Sequence, residues 1–210
     1  MIRKTSLICS AGLLLTVAGC NTSTDLSTSL SPSAAAKLAA SMDASSSLGA
    51  ADFGLGATVA IRAAGSGATV AATAPVAINK TFSVTKQCPQ GGSVVIAGTI
   101  VGTGDQATRS LTVDATATRT DTGCAFQTDD GVITVNGTPN IAYTGHLTIV
   151  NGMLSGLQTQ THKGSFTWAR GSGSPIPCVV DLASQYDPAT RIATVKGTFC
   201  DKTINVTQTR

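Results

Sequence analysis

The sequence predicts a mainly β protein: an antiparallel meander, either a curled sheet or a β-sandwich, with one N-terminal helix and two disulfides. Three observations predict it. From residue 82 onward, short runs rich in Val, Ile and Thr are separated by Gly, Asn, Asp and Pro, as in strands joined by turns. Apolar and polar residues alternate over residues 109–117, which indicates a strand with one buried face. The chain contains no Glu, a residue that helices use freely.

The first twenty residues have the layout of a secretory signal peptide. Arg3 and Lys4 come first, a mostly apolar run covers residues 7–18, and Val17-Ala18-Gly19-Cys20 ends the segment. A basic start, a short apolar run and small residues are the parts of such a signal. The apolar run is shorter than the roughly 20 residues that cross a bilayer. We therefore expect residues 1–19 to be removed.

Val17-Ala18-Gly19-Cys20 resembles the lipobox of bacterial lipoproteins. In that family a diacylglycerol is attached to the cysteine, the preceding peptide is removed, and the new amino terminus is acylated. The resemblance implies that Cys20 carries lipid and anchors the protein to a bilayer of the cell envelope, since several acyl chains together give stable anchoring. In bacteria with two membranes, Asn21 after that cysteine is compatible with the outer membrane. A secreted protein with a cysteine at its cleavage site is the alternative.

The chain that follows the anchor divides into a tether and a helix. Residues 20–33 are rich in Ser and Thr and are expected to form a flexible tether. Residues 34–48 are predicted to be helical, because alanines, Leu38 and Met42 are strong helix formers. Ser31-Pro32 offers an N-cap followed by proline at the first helical position.

Residues 49–80 are interrupted by glycines, and only 57–61 and 68–71 could be short strands there. Residues 81–210 are predicted to form the antiparallel β domain. Asn151-Gly152 separates two apolar runs and is the dipeptide that a type I′ hairpin turn prefers; Asn136-Gly137 gives a weaker signal of the same kind. The predicted strands lie within residues 92–101, 109–117, 131–135, 141–149, 153–160, 165–170, 177–183, 192–199 and 203–207.

Four cysteines remain in the exported body: Cys88, Cys124, Cys178 and Cys200. An even number in an exported chain predicts disulfides. Of the three pairings, we favour Cys178 with Cys200, because the turn-like residues 186–190 lie midway between them; Cys88 then pairs with Cys124. A metal site is the alternative, but no two of these cysteines have the C-x₂₋₄-C spacing typical of zinc.

Charge and motifs give no indication of a nucleic-acid partner, a metal or a cofactor. Without residues 1–19 the chain has 12 basic and 11 acidic residues, and no basic patch stands out. Residues 102–107 match the dinucleotide motif G-x-G-x-x-A, but a strand pattern follows them where the motif requires a helix. Asp129-Asp130-Gly131 lacks the further acids of a calcium loop and is interpreted as a solvated turn.

His146 and His162 are the only histidines and therefore the only candidates for base catalysis by an imidazole. A two-residue hairpin at Asn151-Gly152 would place His146 opposite Leu157 and His162 opposite Ile141. The two histidines would then be roughly 17 Å apart along the ladder, too far to share a metal. We expect both to face solvent, and no catalytic residue is assigned.

Phe166 and Trp168 lie on one face of their strand, either as a ligand-stacking pair or as core anchors.

The first functional hypothesis is a non-enzymatic binding or structural domain on a lipid anchor. The second is a carrier of an apolar ligand, which predicts a cavity of roughly 300 to 1,000 Å³ in a half-barrel closed by the helix. The third is a hydrolase in which His146 or His162 lies in a cleft beside an Asp and a Ser or Thr.

Overall fold

The computed structural model describes residues 29–53, 75–105, 107–137 and 140–210. The predicted signal peptide, Cys20, most of the predicted tether and the strand candidates at 57–61 and 68–71 lie outside these residues. In the described part of the chain, no helix is both long enough and apolar enough to span a membrane.

The described residues form one α-helix, one short 3₁₀ helix and eleven strands. The helix α1 spans Pro32–Ser46 and the 3₁₀ helix spans Ala50–Phe53. The strands are β1 (Val76–Gln87), β2 (Ser93–Asp105), β3 (Ser110–Thr122), β4 (Cys124–Thr128), β5 (Gly131–Asn136), β6 (Ile141–Val150), β7 (Met153–Leu154), β8 (Gln158–Arg170), β9 (Ile176–Asp187), β10 (Ile192–Phe199) and β11 (Lys202–Thr209).

All strands belong to one antiparallel sheet whose main path runs β1-β2-β3-β6-β8-β9-β10-β11. Strand β4 pairs with β5, which also pairs with β8, and the short β7 pairs with β6. Strands make up 65% of the described residues and the sheet is not closed, so the prediction of a mainly β, antiparallel fold is confirmed. Helix α1 contacts β2 near one edge and β10 and β11 at the other. The architecture is therefore a curled sheet around a helix, and the sandwich alternative is wrong.

The inner face of the curled sheet and the buried side of α1 share one apolar core. On β3, Leu111, Val113, Ala115 and Ala117 are buried while the residues between them are exposed, as their alternation predicts. Gly98 helps the sheet to curl, because a Cβ atom at this position would lie 2.1 Å from the carbonyl oxygen of Thr116 on the neighbouring strand. Such close backbone approach is how glycine permits a sheet to bend.

Helix α1 begins and ends two residues earlier than the predicted 34–48. Ser31 is its N-cap: the Ser31 hydroxyl oxygen accepts a hydrogen bond of 3.2 Å from the Ala34 N–H, and Pro32 follows at the first position. Both features match the N-terminal signals in the sequence. The first turn of the helix contains no acidic residue that could complement the positive end of the helix dipole. A carboxylate from the sheet takes this role.

The turn between β4 and β5 supplies that carboxylate. Asp130 accepts hydrogen bonds from the Ser31 N–H at 2.9 Å and the Ser31 hydroxyl at 2.8 Å, and its carboxylate pairs with Arg170 at 2.9 Å. The hydrogen bond from the Ser31 backbone, followed by the Ser31 hydroxyl and the Arg170 charge, keeps the pKa of Asp130 below its ordinary value despite partial desolvation. An anion here also complements the helix dipole. Asp130 is thus an anchor for α1 and not part of a purely solvated turn.

Both predicted disulfides are present. Cys88–Cys124 joins the end of β1 to the start of β4, with 5.4 Å between the Cα atoms. Cys178–Cys200 joins β9 to the turn after β10, with 4.6 Å between the Cα atoms. The second pair lies across the β9–β10 hairpin, as the position of the intervening turn predicts.

The Asn151-Gly152 turn is also confirmed: both residues have positive φ, 54° and 79°, and Val150 faces Met153. Beyond it the register differs from a simple hairpin. His146 faces Thr159 and not Leu157, and His162 faces Tyr143 and not Ile141. The strand predicted over residues 153–160 is accordingly broken after Leu154, and β8 covers both 158–160 and the run predicted separately at 165–170.

The side chain of Gln158 explains this two-residue shift. Its carbonyl oxygen accepts a hydrogen bond from the Thr148 N–H at 3.0 Å, and its amide donates to the carbonyl oxygens of Ser155 at 2.8 Å and Gly156 at 3.0 Å. The Ser155 N–H still donates to the Thr148 carbonyl oxygen at 2.9 Å, so the Gln158 side chain replaces only the backbone acceptor of the Thr148 N–H, while residues 156–157 leave the ladder, as in a bulge. Alternation of side chains cannot reveal such a shift, because a two-residue slip keeps every side chain on the same face.

Three further differences concern strand boundaries. Strand β1 begins at Val76, inside the segment whose strands the sequence left uncertain, and β4 is not predicted at all. Asn136-Gly137 does not close a hairpin. The Asn136 side chain instead accepts a hydrogen bond from the Gly123 N–H at 2.8 Å, and the Gly137 N–H donates to the Asp121 carbonyl at 2.9 Å.

Candidate ligand-binding pocket

A pocket of about 270 Å³ lies on the inner face of the curled sheet, beside the residues that follow α1. This volume is slightly smaller than about 300 Å³, the lower limit expected for a carrier cavity. Strands β3, β6, β8 and β9 supply most of the described lining. The apolar wall consists of Leu48, Phe53, Val113, Ala115, Leu147 and Leu154, and the polar side consists mainly of Ser47, Tyr143, Gln160, Ser184 and Arg210.

Asp43 lies behind the polar side of the pocket and joins its members. This carboxylate is only 1% exposed. It accepts a hydrogen bond of 2.6 Å from the Ser184 hydroxyl and a short one from the Gln160 amide, and it pairs with the Arg210 guanidinium at 2.5 Å. Because Asp43 is on α1 and its partners are on β8, β9 and the end of the chain, the cluster connects the helix to both the middle and the edge of the sheet.

Arg119 and Asp121 form a second buried group next to the helix. They lie on the inner face of β3, and both side chains are fully buried. The Arg119 guanidinium donates to the two carboxylate oxygens of Asp121 at 2.9 and 2.6 Å, a bidentate pair of the strong kind. It also donates to the Met42 carbonyl oxygen and the Ser46 hydroxyl on α1. This pair therefore fixes the end of the helix that leads to the pocket.

Two ionisable groups around the polar side, Asp43 and Tyr143, have shifted pKa values. Burial alone would raise the pKa of Asp43, but interactions with His162, Ser184 and Arg210 outweigh it and leave that pKa below its ordinary value. Burial raises the pKa of the Tyr143 phenol, assisted by the charges of Asp43 and Asp52. At neutral pH Asp43 is thus an anion and Tyr143 a hydrogen-bond donor.

The two histidines lie on opposite faces of the sheet. His146 lies on the outer face, as predicted, with its side chain 38% exposed. Its Nδ1 lies 2.7 Å from the Asp114 carboxylate and its Nε2 lies 3.3 Å from the Thr148 hydroxyl, so the Asp and Thr neighbours of the hydrolase hypothesis are present at His146, on the outer face of the sheet. His162 contradicts the prediction, since it is 4% exposed and faces the core. The two-residue shift of β8 places it opposite Tyr143, with 5.4 Å between the ring centroids.

His162 does not form a hydrolytic triad with its neighbours. Its Nε2 lies 3.6 Å from an Asp43 carboxylate oxygen, and the same oxygen already accepts the Ser184 hydroxyl proton. The aspartate thus stands between the serine and the histidine, whereas a triad needs the histidine between nucleophile and acid. His162 is also buried, so it is not in a cleft.

The protein is expected to lose stability as the pH falls below about 6.5, and His162 is the cause. Burial, followed by the charge of Arg119, lowers the pKa of His162 although Asp43 and Asp121 favour its charged form. Between the two pKa values the unfolded chain binds a proton that the folded protein does not, so the free energy of unfolding falls by up to about 1.4 kcal/mol per pH unit.

Urea unfolding at pH 5, 6 and 7 tests this expectation. The variant His162→Gln should lose most of the pH dependence in this range, whereas His146→Gln, which alters the exposed histidine, should retain it. Equal slopes in the two variants would contradict the assignment to His162.

Phe166 and Trp168 do not form a ligand platform. They are 1% and 2% exposed, and Phe166 packs against Phe199 with 5.4 Å between ring centroids. Neither residue lines the pocket. Their shared face is the inner face of β8, so the core interpretation of the pair is the one that the structure supports.

The β6–β7–β8 connection exposes several apolar side chains, one of which lines the pocket. Leu154 lines the pocket and remains 42% exposed. Val150, Met153 and Leu157, in the same connection, are 42%, 70% and 48% exposed. Because Val150 pairs with Met153 and Ile149 pairs with Leu154, Val150 and Met153 lie on the opposite face from Leu154.

The described residues contain no group of three His, Cys, Asp or Glu side chains that could hold a metal ion. Sequence reasoning did not single out Asp43, Arg119, Asp121, Gln160, Ser184 or Arg210. A signal existed for Arg119 and Asp121, because they continue the inward-facing alternation of Leu111 to Ala117. Comparison of the chain with family models, curated proteins and solved structures finds no match.

Proposed function

We propose that this protein is an exported lipoprotein, anchored to a membrane through acylated Cys20, whose β domain binds a small, largely apolar ligand in the pocket described above. The pocket is the observation that carries the binding function. The signal-peptide layout and its resemblance to a lipobox support the anchor. The proposal is for a non-enzymatic binding protein, and the arrangement of Ser184, Asp43 and His162 supports no hydrolytic step.

The size and chemistry of the pocket suit a compact ligand. An engineered apolar cavity of about 150 Å³ binds benzene, and this pocket measures about 270 Å³. Aliphatic and aromatic side chains form one side of it, while a few polar groups meet on the other. A mainly apolar lining with a few convergent polar groups is typical of small-molecule sites.

The binding function is tested with an uncharged fluorescent apolar dye, N-phenyl-1-naphthylamine, and the full-length chain carrying Cys20→Ser, which cannot be acylated. In that background Ala115→Phe places a ring in the pocket, and dye binding should weaken at least tenfold. Thr116→Phe is the matched control, because the adjacent residue faces outward on the same strand and should leave binding unchanged. Equal binding by both variants, or no saturable binding by the parent protein, would sink the pocket as a binding site.

The anchor is tested separately by cell fractionation. The wild-type protein expressed in a bacterium should be found with membranes, and Cys20→Ser should release it into the soluble fraction or leave an unprocessed precursor. Metabolic labelling with a palmitate analogue should mark the wild type alone. A Cys20→Ser protein that has normal size and fractionates with membranes like the wild type would show that the anchor is assigned wrongly.

A further inference from the structure

The polar side of the pocket has hydrogen-bonding capacity that its own contacts leave unused. The Tyr143 hydroxyl donates to the Gln160 carbonyl oxygen at 3.3 Å, and the Ser184 hydroxyl donates to Asp43. Each hydroxyl has a single proton, so both oxygens can still accept a hydrogen bond. The Nε of Arg210 has no hydrogen-bond partner among the described residues, but this atom is buried, so it offers no donor to a ligand in the pocket.

Gly145 allows the Tyr143 hydroxyl to take its place in the lining. A Cβ atom at residue 145 would lie 2.7 Å from the Tyr143 hydroxyl oxygen and 3.1 Å from the ring carbon that bears it. Both residues line the pocket. Any larger residue at 145 would have to displace the phenol, so the glycine preserves a polar group within a largely apolar wall.

The charges around this side of the pocket are already balanced. The carboxylate of Asp43 pairs with the guanidinium of Arg210, and the carboxylate of Asp121 pairs with Arg119. An anionic ligand group would meet the Arg210 guanidinium, whose charge Asp43 already neutralises. A cationic ligand group would meet the Asp43 carboxylate, whose charge Arg210 already neutralises. Either charged group would also lose its hydration on binding without an unpaired counter-charge.

We propose that the pocket selects ligands with a compact apolar body and an uncharged hydroxyl group, which lies against Tyr143 and Ser184. A hydroxyl matches the unused capacity, since it can donate to the Tyr143 or the Ser184 oxygen and carries no charge. The apolar body occupies the side formed by Phe53, Val113 and Ala115. This inference rests on the proposed binding function and adds the chemical class of the ligand.

Three probes with the same tail test the inference: 1-octanol, octanoate and octylammonium at pH 7, titrated into full-length Cys20→Ser protein. Amide NMR signals of the pocket lining give a dissociation constant for each probe. We expect 1-octanol to bind at least tenfold more tightly than both charged probes. Equal affinities, or tighter binding of a charged probe, would overturn the hydroxyl selectivity while leaving the binding function intact. If none of the three probes changes the amide NMR signals of the lining residues, the binding function itself is overturned.

Two matched tyrosine variants test whether the Tyr143 hydroxyl contacts the hydroxyl group of the ligand. Tyr143→Phe removes only the buried hydroxyl and should raise the dissociation constant of 1-octanol about fivefold. Tyr186→Phe removes a hydroxyl from another tyrosine that lines the same pocket and should leave that constant within twofold. Equal effects of the two variants would contradict recognition at the Tyr143 side.

Discussion

Replacing Arg119 with methionine is expected to lower the free energy of unfolding by about 3–5 kcal/mol, the cost of breaking a buried ion pair. Methionine retains much of the aliphatic volume but leaves the fully buried Asp121 carboxylate without its cation. The change also removes the hydrogen bonds to the Met42 carbonyl and the Ser46 hydroxyl. Guanidinium chloride unfolding of the purified protein measures the loss.

A surface pair provides the matched control. Lys163→Met makes a similar change in the Lys163–Asp181 pair, whose side chains are 74% and 58% exposed, and should cost no more than about 1 kcal/mol. The double variant Arg119→Met with Asp121→Leu should regain much of the lost stability, because it removes the uncompensated charge. A loss for Arg119→Met no greater than for Lys163→Met would mean that this pair does not hold the helix in place.

Replacing Asp43 with alanine is expected to be comparably destabilising, by about 3–5 kcal/mol. The carboxylate accepts hydrogen bonds from Ser184 and Gln160 and pairs with Arg210, so its removal leaves several donors without a partner, each costing about 1–3 kcal/mol when buried. Asp114→Ala is the control, because that aspartate is 75% exposed beside His146. Its loss should be within about 1 kcal/mol.

The difference between wild type and Asp43→Ala also has a predicted pH dependence. Because the pKa of Asp43 is lower in the folded protein than its ordinary 3.8, its charge adds stability above the unfolded pKa. That contribution is lost as the pH falls through the folded pKa. Asp43 also affects the pKa of His162, so the comparison is made in a His162→Gln background. There the stability gap should be constant from pH 5 to 7 and should narrow below about pH 4. A gap that widens on acidification would contradict an ionised Asp43.

These two groups connect the stability of the fold to the shape of the pocket. Arg119 positions the last turns of α1 by contacts at residues 42 and 46, and Asp43 holds Ser184 and Gln160, which line the pocket. A change in either group should therefore affect ligand binding as well as stability. The Cys178–Cys200 and Cys88–Cys124 bonds restrain other connections, and none of these cysteines is among the described residues that line the pocket.

Local patterns in the sequence were sufficient for several parts of the structure. Alternation at Leu111 to Ala117 predicts a half-buried strand, Asn151-Gly152 predicts a tight turn, and the midpoint between Cys178 and Cys200 predicts a disulfide across a hairpin; all three are confirmed. Each of these depends on backbone preferences or on neighbours within one hairpin.

The pocket is formed by contacts between residues that are far apart in the sequence, and no local sequence pattern predicts such contacts. Asp43 and Gln160 are 117 residues apart, and Asp43 and Ser184 are 141 residues apart. The register of β8, in which the Gln158 side chain supplies an acceptor for the Thr148 N–H, decides that His162 lies opposite Tyr143. The sequence by itself determined the fold class, the helix and the disulfide pairing, because short-range geometry controls them. Only the tertiary structure decided which distant polar groups meet, since that depends on how the sheet curls around α1.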